Sequence, residues 1–358
     1  MTDDLVSVVT PTFNRADCLP RAIDSALSQT HTNLEILVID DGSTDDTAAL
    51  VRRRWPQEPR VRYLFQANRG VSAARNLAMS EARGAFVAFL DSDDWWMPWK
   101  LKAQLACMAQ YPAAVMIHSD LDAVDPAGRV YAPRCLRELL DSYRRFTLNE
   151  LYSESRLVRD FLEPLPESLA DTRVYFGDVY SHMIFGNLMM PSSVILRRDR
   201  SGSFGRWDEA QLTEETFDYH LQVCRKGPVA FIDAATYSYQ RGREDHNWYP
   251  ERHAAPDVAH KMNRSYLRSI EALIATDCSR ITIPKQLIAR HLADVHGWVA
   301  DTAVQVGNRG EAVRHLARSL RLRPWQPRRT LAFAAAFCLP PALLRRLKAA
   351  RSALARSN

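Results

Sequence analysis

The sequence has 358 residues, of which 46% are hydrophobic and 25% charged, and its formal net charge is +5. This length predicts two domains, or one large domain with an appendage, and the composition excludes a disordered or collagen-like chain. The six cysteines lie far apart and include no CxxC pair, which excludes a disulfide scaffold or a zinc ribbon and favours a reducing compartment. Because the acidic start MTDD does not resemble a secretory signal, we expect a cytoplasmic location.

Strand-like and helix-like patterns alternate through the first 120 residues. Short β-branched or apolar runs predict strands, and apolar residues at helical spacing between them predict helices. The predicted strands are residues 6–10, 34–39, 61–65, 85–90 and 114–118, and the predicted helices are residues 16–29, 43–54, 72–82 and 99–111. This alternation indicates an α/β fold with a mostly parallel sheet flanked by helices on both faces.

The remainder of the chain divides near residue 250. Between residues 121 and 250 the periodicity is interrupted, and only residues 192–196 and 229–232 are predicted to be strands. From residue 251 onward the pattern is helical, with helices at residues 287–306 and 311–322 joined by a turn. We therefore expect three regions, residues 1–120, 121–250 and a helical C-terminal extension of residues 251–358.

Positive charge is concentrated at the C-terminal end of the chain. Residues 309–358 contain 12 Lys or Arg and one acidic residue, so the preceding part is mildly acidic. The apolar run at residues 331–344 is 14 residues long and contains two prolines, which is too short to span a bilayer. Either this run packs on the rest of the chain, or it lies peripherally in the inner face of an anionic membrane beside the basic residues that follow it. Nucleic acid is not an expected partner.

An acidic cluster, Asp91-Ser92-Asp93-Asp94, follows the predicted strand at residues 85–90. In open α/β sheets ligands bind at the carboxyl ends of the strands. Carboxylates crowded there favour a divalent cation, since Mg²⁺ typically takes one or two carboxylates together with substrate phosphates. An EF-hand is excluded because tryptophans stand at positions 95 and 96. The alternative is a solvated acidic turn.

Two further polar clusters follow the first two predicted strands. Residues 11–15 read PTFNR, and residues 40–43 read DDGS. A carboxylate in the second cluster can accept hydrogen bonds from a nucleotide base or ribose, whereas the alternative is an Asx turn that caps the next helix. Three such clusters at the ends of parallel strands predict one shared crevice. The sequence contains no GxGxxG, GxxxxGK[ST], GxSxG or HExxH motif.

These blocks resemble the family 2 glycosyltransferases, which have the GT-A fold. The resemblance covers roughly residues 5–233 and rests on VSVVTPTFNRADCLPRAIDSALSQT, NLEILVIDDGSTDDT and NRGVSAARNLAMSEARGAFVAFLDSDDWWMPWKL. It implies a metal-assisted transferase that moves a sugar from a nucleotide-sugar donor to an acceptor hydroxyl with inversion. The acceptor is then a glycan, a glycolipid or other lipid-linked acceptor, or a polysaccharide. Residues 1–120 become the donor half of the GT-A domain, and residues 121–250 the half that binds the acceptor and carries the catalytic base.

The resemblance also implies which residues bind the nucleotide. Asp41 matches the residue that contacts the base, and Pro11 and Phe13 lie in the loop beside that base. Arg75, in the segment Ala-Arg-Asn, matches a residue near the donor.

The acidic cluster matches the DXD motif of the family. Asp91 and Asp93 occupy its two acidic positions, with Ser92 between them at the donor. The resemblance implies that Asp93 is the direct ligand of Mn²⁺ or Mg²⁺, with Asp91 also at the metal.

The family pattern changes at the expected catalytic base. Members usually carry Glu-Asp, an aromatic residue and another acidic residue, whereas this chain reads Glu215-Thr216-Phe217-Asp218. The hydroxyl of Thr216 does not ionise near neutral pH, so Glu215 is the favoured base, with Glu214 next. Asp218 is expected to face away, about 200° around the helix from Thr216.

Two alternative functions stay open at this point. The change at Thr216 allows a protein that binds nucleotide sugars with a degenerate catalytic site. A sugar nucleotidyltransferase is a further alternative, which the absence of a glycine-rich basic loop after the first strand disfavours.

Overall fold

The computed structural model describes residues 4–164, 166–211, 213–241, 255–324 and 326. The chain forms two compact units, Met1–His246 and Asn247–Asn358. The apolar run predicted at residues 331–344, and the basic residues after it, lie outside the described residues.

The first unit contains an 11-stranded mixed sheet. Its strands are β1 Val6–Thr12, β2 Leu34–Asp41, β3 Val61–Gln66, β4 Phe86–Phe89, β5 Trp95–Trp96, β6 Met116–Val124, β7 Val130–Ala132, β8 Glu154–Leu157, β9 Arg173–Gly177, β10 Ile195–Arg197 and β11 Val229–Gln240. Its α-helices are α1 Leu19–Leu27, α2 Thr47–Arg54, α3 Val71–Glu81, α4 Lys100–Gln110, α5 Leu136–Leu139, α6 Ser142–Arg145, α7 Leu148–Leu151 and α8 Glu215–Cys224. Short 3-10 helices lie at Val158–Asp160, Glu167–Leu169, Tyr180–Phe185 and Pro191–Ser193.

The strand order is β3-β2-β1-β4-β10-β6-β11-β9-β8, with β5 added to β11 and β7 to β6. Strands β1 to β4 are mutually parallel, and β10 is antiparallel to both β4 and β6. Strand β6 therefore runs in the same direction as β4, and β11 is parallel to β6. The carboxyl ends of β1, β2 and β4 consequently meet at one edge of the sheet, where each predicted polar cluster begins.

The central strands are buried along their whole length because helices cover them. Every residue of β1 and β2 is buried, which matches the near-continuous apolar sequence of these strands. Glu35 of β2 is tolerated inside because Ser7 donates to its Oε1 at 2.7 Å and Arg62 to its Oε2 at 2.7 Å. Burial alone would raise the pKa of Glu35, but these donors and the Arg83 amide lower it.

The structure confirms the α/β class and the parallel half of the sheet, and it corrects one predicted strand. Residues 192–196 do not form a single strand, because Pro191–Ser193 is a 3-10 helix and the strand is Ile195–Arg197. Proline fixes its own φ and lacks an N–H for the ladder, and the hydroxyl of Ser193 bonds the carbonyl of Met190 at 2.6 Å. The strand predicted at residues 229–232 continues to Gln240.

The described part of the second unit, residues 255–324 and 326, is helical, as the sequence predicts. Helices α9 Pro256–Thr276, α10 Lys285–Gln305 and α11 Arg309–Leu322 follow one another, with a short 3-10 helix at Cys278–Arg280. Gly307, at φ 84°, forms the turn between α10 and α11, and the side chain of Asn308 caps α11 by accepting from the Glu311 amide at 3.2 Å. No helix among the described residues is long and apolar enough to cross a membrane.

Candidate active site

The loops after β1 and β2 are joined by hydrogen bonds. The Asn14 amide donates to Ser43 Oγ at 2.9 Å, and Asn14 Oδ1 accepts from the Thr44 amide at 2.7 Å. Asn14 has φ 53°, a conformation that asparagine tolerates better than most residues. Gly42 has φ 81°, and a Cβ there would lie 2.7 Å from the backbone nitrogen of Asn68. The PTFNR and DDGS clusters therefore form one connected surface at the sheet edge.

The two aspartates of the DDGS cluster hydrogen-bond to different parts of the chain. Asp40 is fully buried and accepts from the Ser43 amide at 2.7 Å and the Tyr63 hydroxyl at 2.6 Å. Asp41 accepts from the amides of Arg69 at 2.9 Å and Gly70 at 2.8 Å. Since Gly70 is the N-cap of α3, the Asp41 carboxylate fixes the start of that helix, where a negative charge is favourable.

Phe13 exposes an apolar ring beside Asp41. Thr12 pairs with Asp40 in the parallel ladder between β1 and β2, so Phe13 follows at the level of Asp41. Pro11 is buried in β1, whereas Phe13 is 45% exposed. An exposed aromatic ring next to hydrogen-bonding groups is suited to stacking on a planar ligand.

The acidic cluster forms a tight turn with inward and outward carboxylates. The Asp94 amide donates to the Asp91 carbonyl at 3.0 Å, and the Asp91 amide donates to Ser192 Oγ at 3.1 Å. Asp94 and Ser92 are buried, whereas the side chain of Asp91 is 30% exposed and Asp93 is partly exposed. Burial, followed by the charges of Asp93 and Asp91, raises the pKa of Asp94 well above its ordinary value.

A buried polar layer supports this turn from below. Lys100 is fully buried, donates to Gln104 Oε1 at 2.7 Å and lies 4.3 Å from the ring centroid of Trp96. Trp96 Nε1 donates to the Ser192 carbonyl at 3.0 Å, and Gln104 Nε2 to the Ser193 carbonyl at 2.7 Å. Burial lowers the pKa of Lys100 well below its ordinary value. These contacts hold the 3-10 helix and the acidic turn in one arrangement.

Arg75 links α3 to the acidic turn. Its Nη2 donates to Asp91 Oδ1 at 2.9 Å, and its Cζ lies 4.3 Å from the ring centroid of Trp207. Only 4% of Arg75 is exposed, and its Nε and Nη1 have no hydrogen-bond partner in the described part of the chain. A buried guanidinium that has unused N–H donors beside an aspartate is suited to binding a further anionic group.

A segment that the sequence analysis missed covers this arginine. Asn76 donates to the Trp207 carbonyl and to Glu209 Oε1, both at 2.9 Å, and accepts from the Trp207 amide at 2.9 Å. Arg69 forms an ion pair with Glu209 at 2.8 Å. The partners lie more than 130 residues apart in sequence, and no local pattern indicates such a pairing.

The carboxylates considered for the catalytic base surround the N-terminus of α8. Glu215 is its first residue, Glu214 is the N-cap, and Asp218 accepts from Gln222 Nε2 at 2.8 Å one turn further on. Burial, and next the charge of Glu215, raises the pKa of Glu214 to about 7.

Stacked rings connect α8 to the acidic turn. The ring of Tyr219, within α8, stacks on Trp207 with centroids 4.1 Å apart. Trp207 contacts Arg75, and Arg75 bonds Asp91. The structure thereby brings Tyr219 of α8, Arg75 and the acidic turn into one continuous set of contacts.

The residues that the structure describes do not by themselves complete a metal site. Among the described residues no three His, Cys, Asp or Glu side chains are grouped so as to hold a metal ion. Asp91 and Asp93 nevertheless fit Mg²⁺ or Mn²⁺ chemically, because such ions take one or two carboxylates and complete their shell with phosphate oxygens and water.

Known proteins resemble the first part of the chain in sequence. Residues 7–161 match the model of glycosyl transferase family 2. An uncharacterized glycosyltransferase of Rickettsia felis is 46% identical over 127 residues, or 36% of this chain and 21% of that protein. The chondroitin synthase of Escherichia coli is 43% identical over 94 residues, or 26% of this chain and 14% of that protein. The hyaluronan synthase of Pasteurella multocida is 33% identical over 155 residues, or 40% of this chain and 16% of that protein.

The matched segments thus span between 14% and 21% of the length of these relatives. Among solved structures, S. aureus TarS 1–349 in complex with UDP-GlcNAc matches with a TM-score of 0.50 at 17% identity. That match covers 88% of this chain and 91% of the TarS chain, and it supports the fold alone. The fold is accordingly of the GT-A type, and residues 7–161 of this chain match glycosyl transferase family 2.

Proposed function

We propose that the chain is an inverting glycosyltransferase that moves a sugar from a nucleoside diphosphate sugar to an acceptor hydroxyl. The observation that carries this proposal is the convergence of Phe13, Asp41, Arg75 and Asp91 at one edge of the sheet. In this proposal residues 1–120 bind the donor, residues 121–250 bind the acceptor and supply the base, and residues 251–358 form a basic helical extension.

The donor nucleotide is held at the loops after β1 and β2. The exposed ring of Phe13, next to Pro11, stacks on the base. Asp41 already accepts from Gln66, Arg69 and Gly70, so it orients α3 and offers its remaining lone pair to the base. The free donors of Arg75 then bind donor oxygens near the diphosphate.

A divalent cation, Mn²⁺ or Mg²⁺, is held in this proposal by Asp93 and Asp91, with Ser92 shaping the turn at the donor. When bound, the ion supplies charge neutralisation for the departing nucleoside diphosphate. Arg75 holds Asp91 in place at 2.9 Å and adds positive charge to the same region.

The acceptor oxygen loses its proton to a carboxylate at the N-terminus of α8, where Glu214, Glu215 and Asp218 lie. A single displacement at the anomeric carbon inverts its configuration and needs no covalent intermediate on the protein. The likeness to proteins named as chondroitin synthase and hyaluronan synthase supports a polysaccharide or glycolipid acceptor.

The proposed location is cytoplasmic, with peripheral contact at the inner face of a membrane through the basic C-terminal region. Charge supports this contact, since a basic residue near an anionic surface adds about 1 kcal/mol to binding. A larger fraction of the full chain than of a chain ending at Arg329 should sediment with anionic liposomes. Equal sedimentation of the two would refute contact by the tail.

The donor test measures protection against heat by a panel of nucleoside diphosphate sugars, with Mn²⁺ and with excess chelator. One donor should raise the melting temperature in the presence of Mn²⁺. Asp93→Ala should abolish the Mn²⁺-dependent protection by the donor and leave the melting temperature of the protein without donor near that of the wild type. Full protection and full transfer in excess chelator would contradict the metal assignment.

A second function, donor binding without transfer, is favoured by Thr216 at the position of the usual catalytic aspartate. The two functions differ in product. The transferase releases nucleoside diphosphate when acceptor is present, whereas the binding protein is protected by the donor and releases none.

A further inference from the structure

The glutamate that precedes α8 has an unusual backbone conformation. Glu214 has φ 60° and ψ 19°, a left-handed region that residues other than glycine seldom adopt. It stands at the N-cap, but its side chain makes no capping hydrogen bond. Its carbonyl instead accepts from the Asp218 amide and from Gln211 Nε2, each at 3.0 Å. Two hydrogen bonds thus hold the backbone carbonyl of Glu214, whereas its carboxylate takes no part in capping the helix.

Among the residues that the structure describes, no positive charge compensates this carboxylate. Glu214 is only partly reached by solvent, and within the described residues its carboxylate makes no hydrogen bond or ion pair. The charged group that acts on it is Glu215, which has the same sign. Both conditions hold the pKa of Glu214 near neutrality, the range in which a carboxylate serves best as a general base.

The neighbouring candidates are less suited to take a proton. Thr216, at the position of the family's usual aspartate, has a hydroxyl that does not ionise near neutral pH. Asp218 is engaged by Gln222 at 2.8 Å. The left-handed backbone at Glu214 changes the direction of its side chain relative to a helical residue, so this side chain is not restricted to the faces of α8.

We infer that Glu214 is the general base of the transfer, in place of the residue that the family carries at position 216. This inference rests on the proposed function. In the step, the acceptor O–H bond breaks and its proton passes to the Glu214 carboxylate. The acceptor oxygen forms a bond to the anomeric carbon as the bond to the β-phosphate oxygen breaks, and the nucleoside diphosphate leaves with that electron pair.

The experiment compares the full-length wild type with Glu214→Gln and Glu215→Gln between pH 5.5 and 9. It measures release of nucleoside diphosphate, using the donor that protects the wild type against heat. The wild-type rate should rise with pH through an apparent pKa of about 7 and then level off. Glu214→Gln should lose about 10²-fold or more in kcat and lack this rise, while the donor still protects it against heat.

Glu215→Gln is the discriminating comparison, because it removes the like charge beside Glu214. It should keep the rise in rate with pH but move its midpoint to lower pH. Glu214→Asp keeps a carboxylate and should recover part of the lost rate.

The outcomes separate the inference from the function on which it rests. An active wild type together with a Glu214→Gln variant of equal rate would overturn the assignment of Glu214 alone. Loss of the rise with pH in Glu215→Gln, but not in Glu214→Gln, would assign the base to Glu215. A wild type that binds donor and transfers to no acceptor would overturn the proposed function and the inference together.

Discussion

Removing the charge of Glu214 should stabilise the protein at neutral and alkaline pH. Its pKa is raised from 4.5 to about 7 in the folded chain, so the folded state disfavours the ionised form. The destabilisation is absent below about pH 4.5, grows as the pH rises and is complete above about pH 7. A shift of this size corresponds to at most about 3 kcal/mol, which partial access of solvent reduces to about 1–2 kcal/mol. Glu214→Gln should therefore gain this amount at pH 8 and little at pH 4.5.

The assay is urea unfolding of the full chain at pH 4.5 and pH 8, followed by tryptophan fluorescence. Trp207 is suited to report on this region because it is buried and stacks on Tyr219 of α8. Glu138→Gln, on the exposed part of α5, controls for the loss of one negative charge. A Glu214→Gln variant that is no more stable than the wild type at pH 8 would refute the argument that this carboxylate is desolvated without compensation.

Other contacts lead to further testable outcomes. Asn76→Ala removes three hydrogen bonds to the segment around Trp207, and the unfolding free energy should fall by about 1–3 kcal/mol, measured in the same urea titration. Asp41→Ala leaves the amides at the start of α3 without their acceptor, so donor protection against heat should weaken at least tenfold in apparent affinity; unchanged affinity would remove Asp41 from the donor site. In the second unit, burial followed by the charge of His315 lowers the pKa of His296 to about 4. Between pH 6.5 and 4, this histidine is therefore protonated in the unfolded chain but neutral in the folded unit. The melting temperature of that unit should fall as the pH decreases from 6.5 to 4, and a constant melting temperature over that range would contradict the assignment.

The polar clusters at the strand ends could be located from the sequence because each follows a local pattern. A β-branched or apolar run ends in Asp41, and another ends in Asp91, and parallel strands bring such ends to one edge. The α/β class followed from the same alternation, since strand and helix periods are properties of neighbouring residues.

Contacts between distant segments could not be predicted in this way. Ser192 Oγ accepts a hydrogen bond from the amide of Asp91, which lies 101 residues away in sequence. The apolar pattern of residues 192–196 predicts a strand, whereas Ser192 belongs to a 3-10 helix. Trp207 and Glu209 follow a loop without periodicity, and their role depends on Asn76, more than 130 residues away. The sequence favours Glu215 by counting positions along the helix. It does not indicate the left-handed backbone of Glu214, which is set by its surroundings in the fold.

The most direct test of the account is release of nucleoside diphosphate from the protecting nucleotide sugar, measured at pH 8 with Mn²⁺ and a set of glycan and glycolipid acceptors. We expect release that depends on acceptor, is lost with Asp93→Ala, and falls about 10²-fold or more with Glu214→Gln while donor protection is kept. Donor protection of the wild type without release for any acceptor would contradict it.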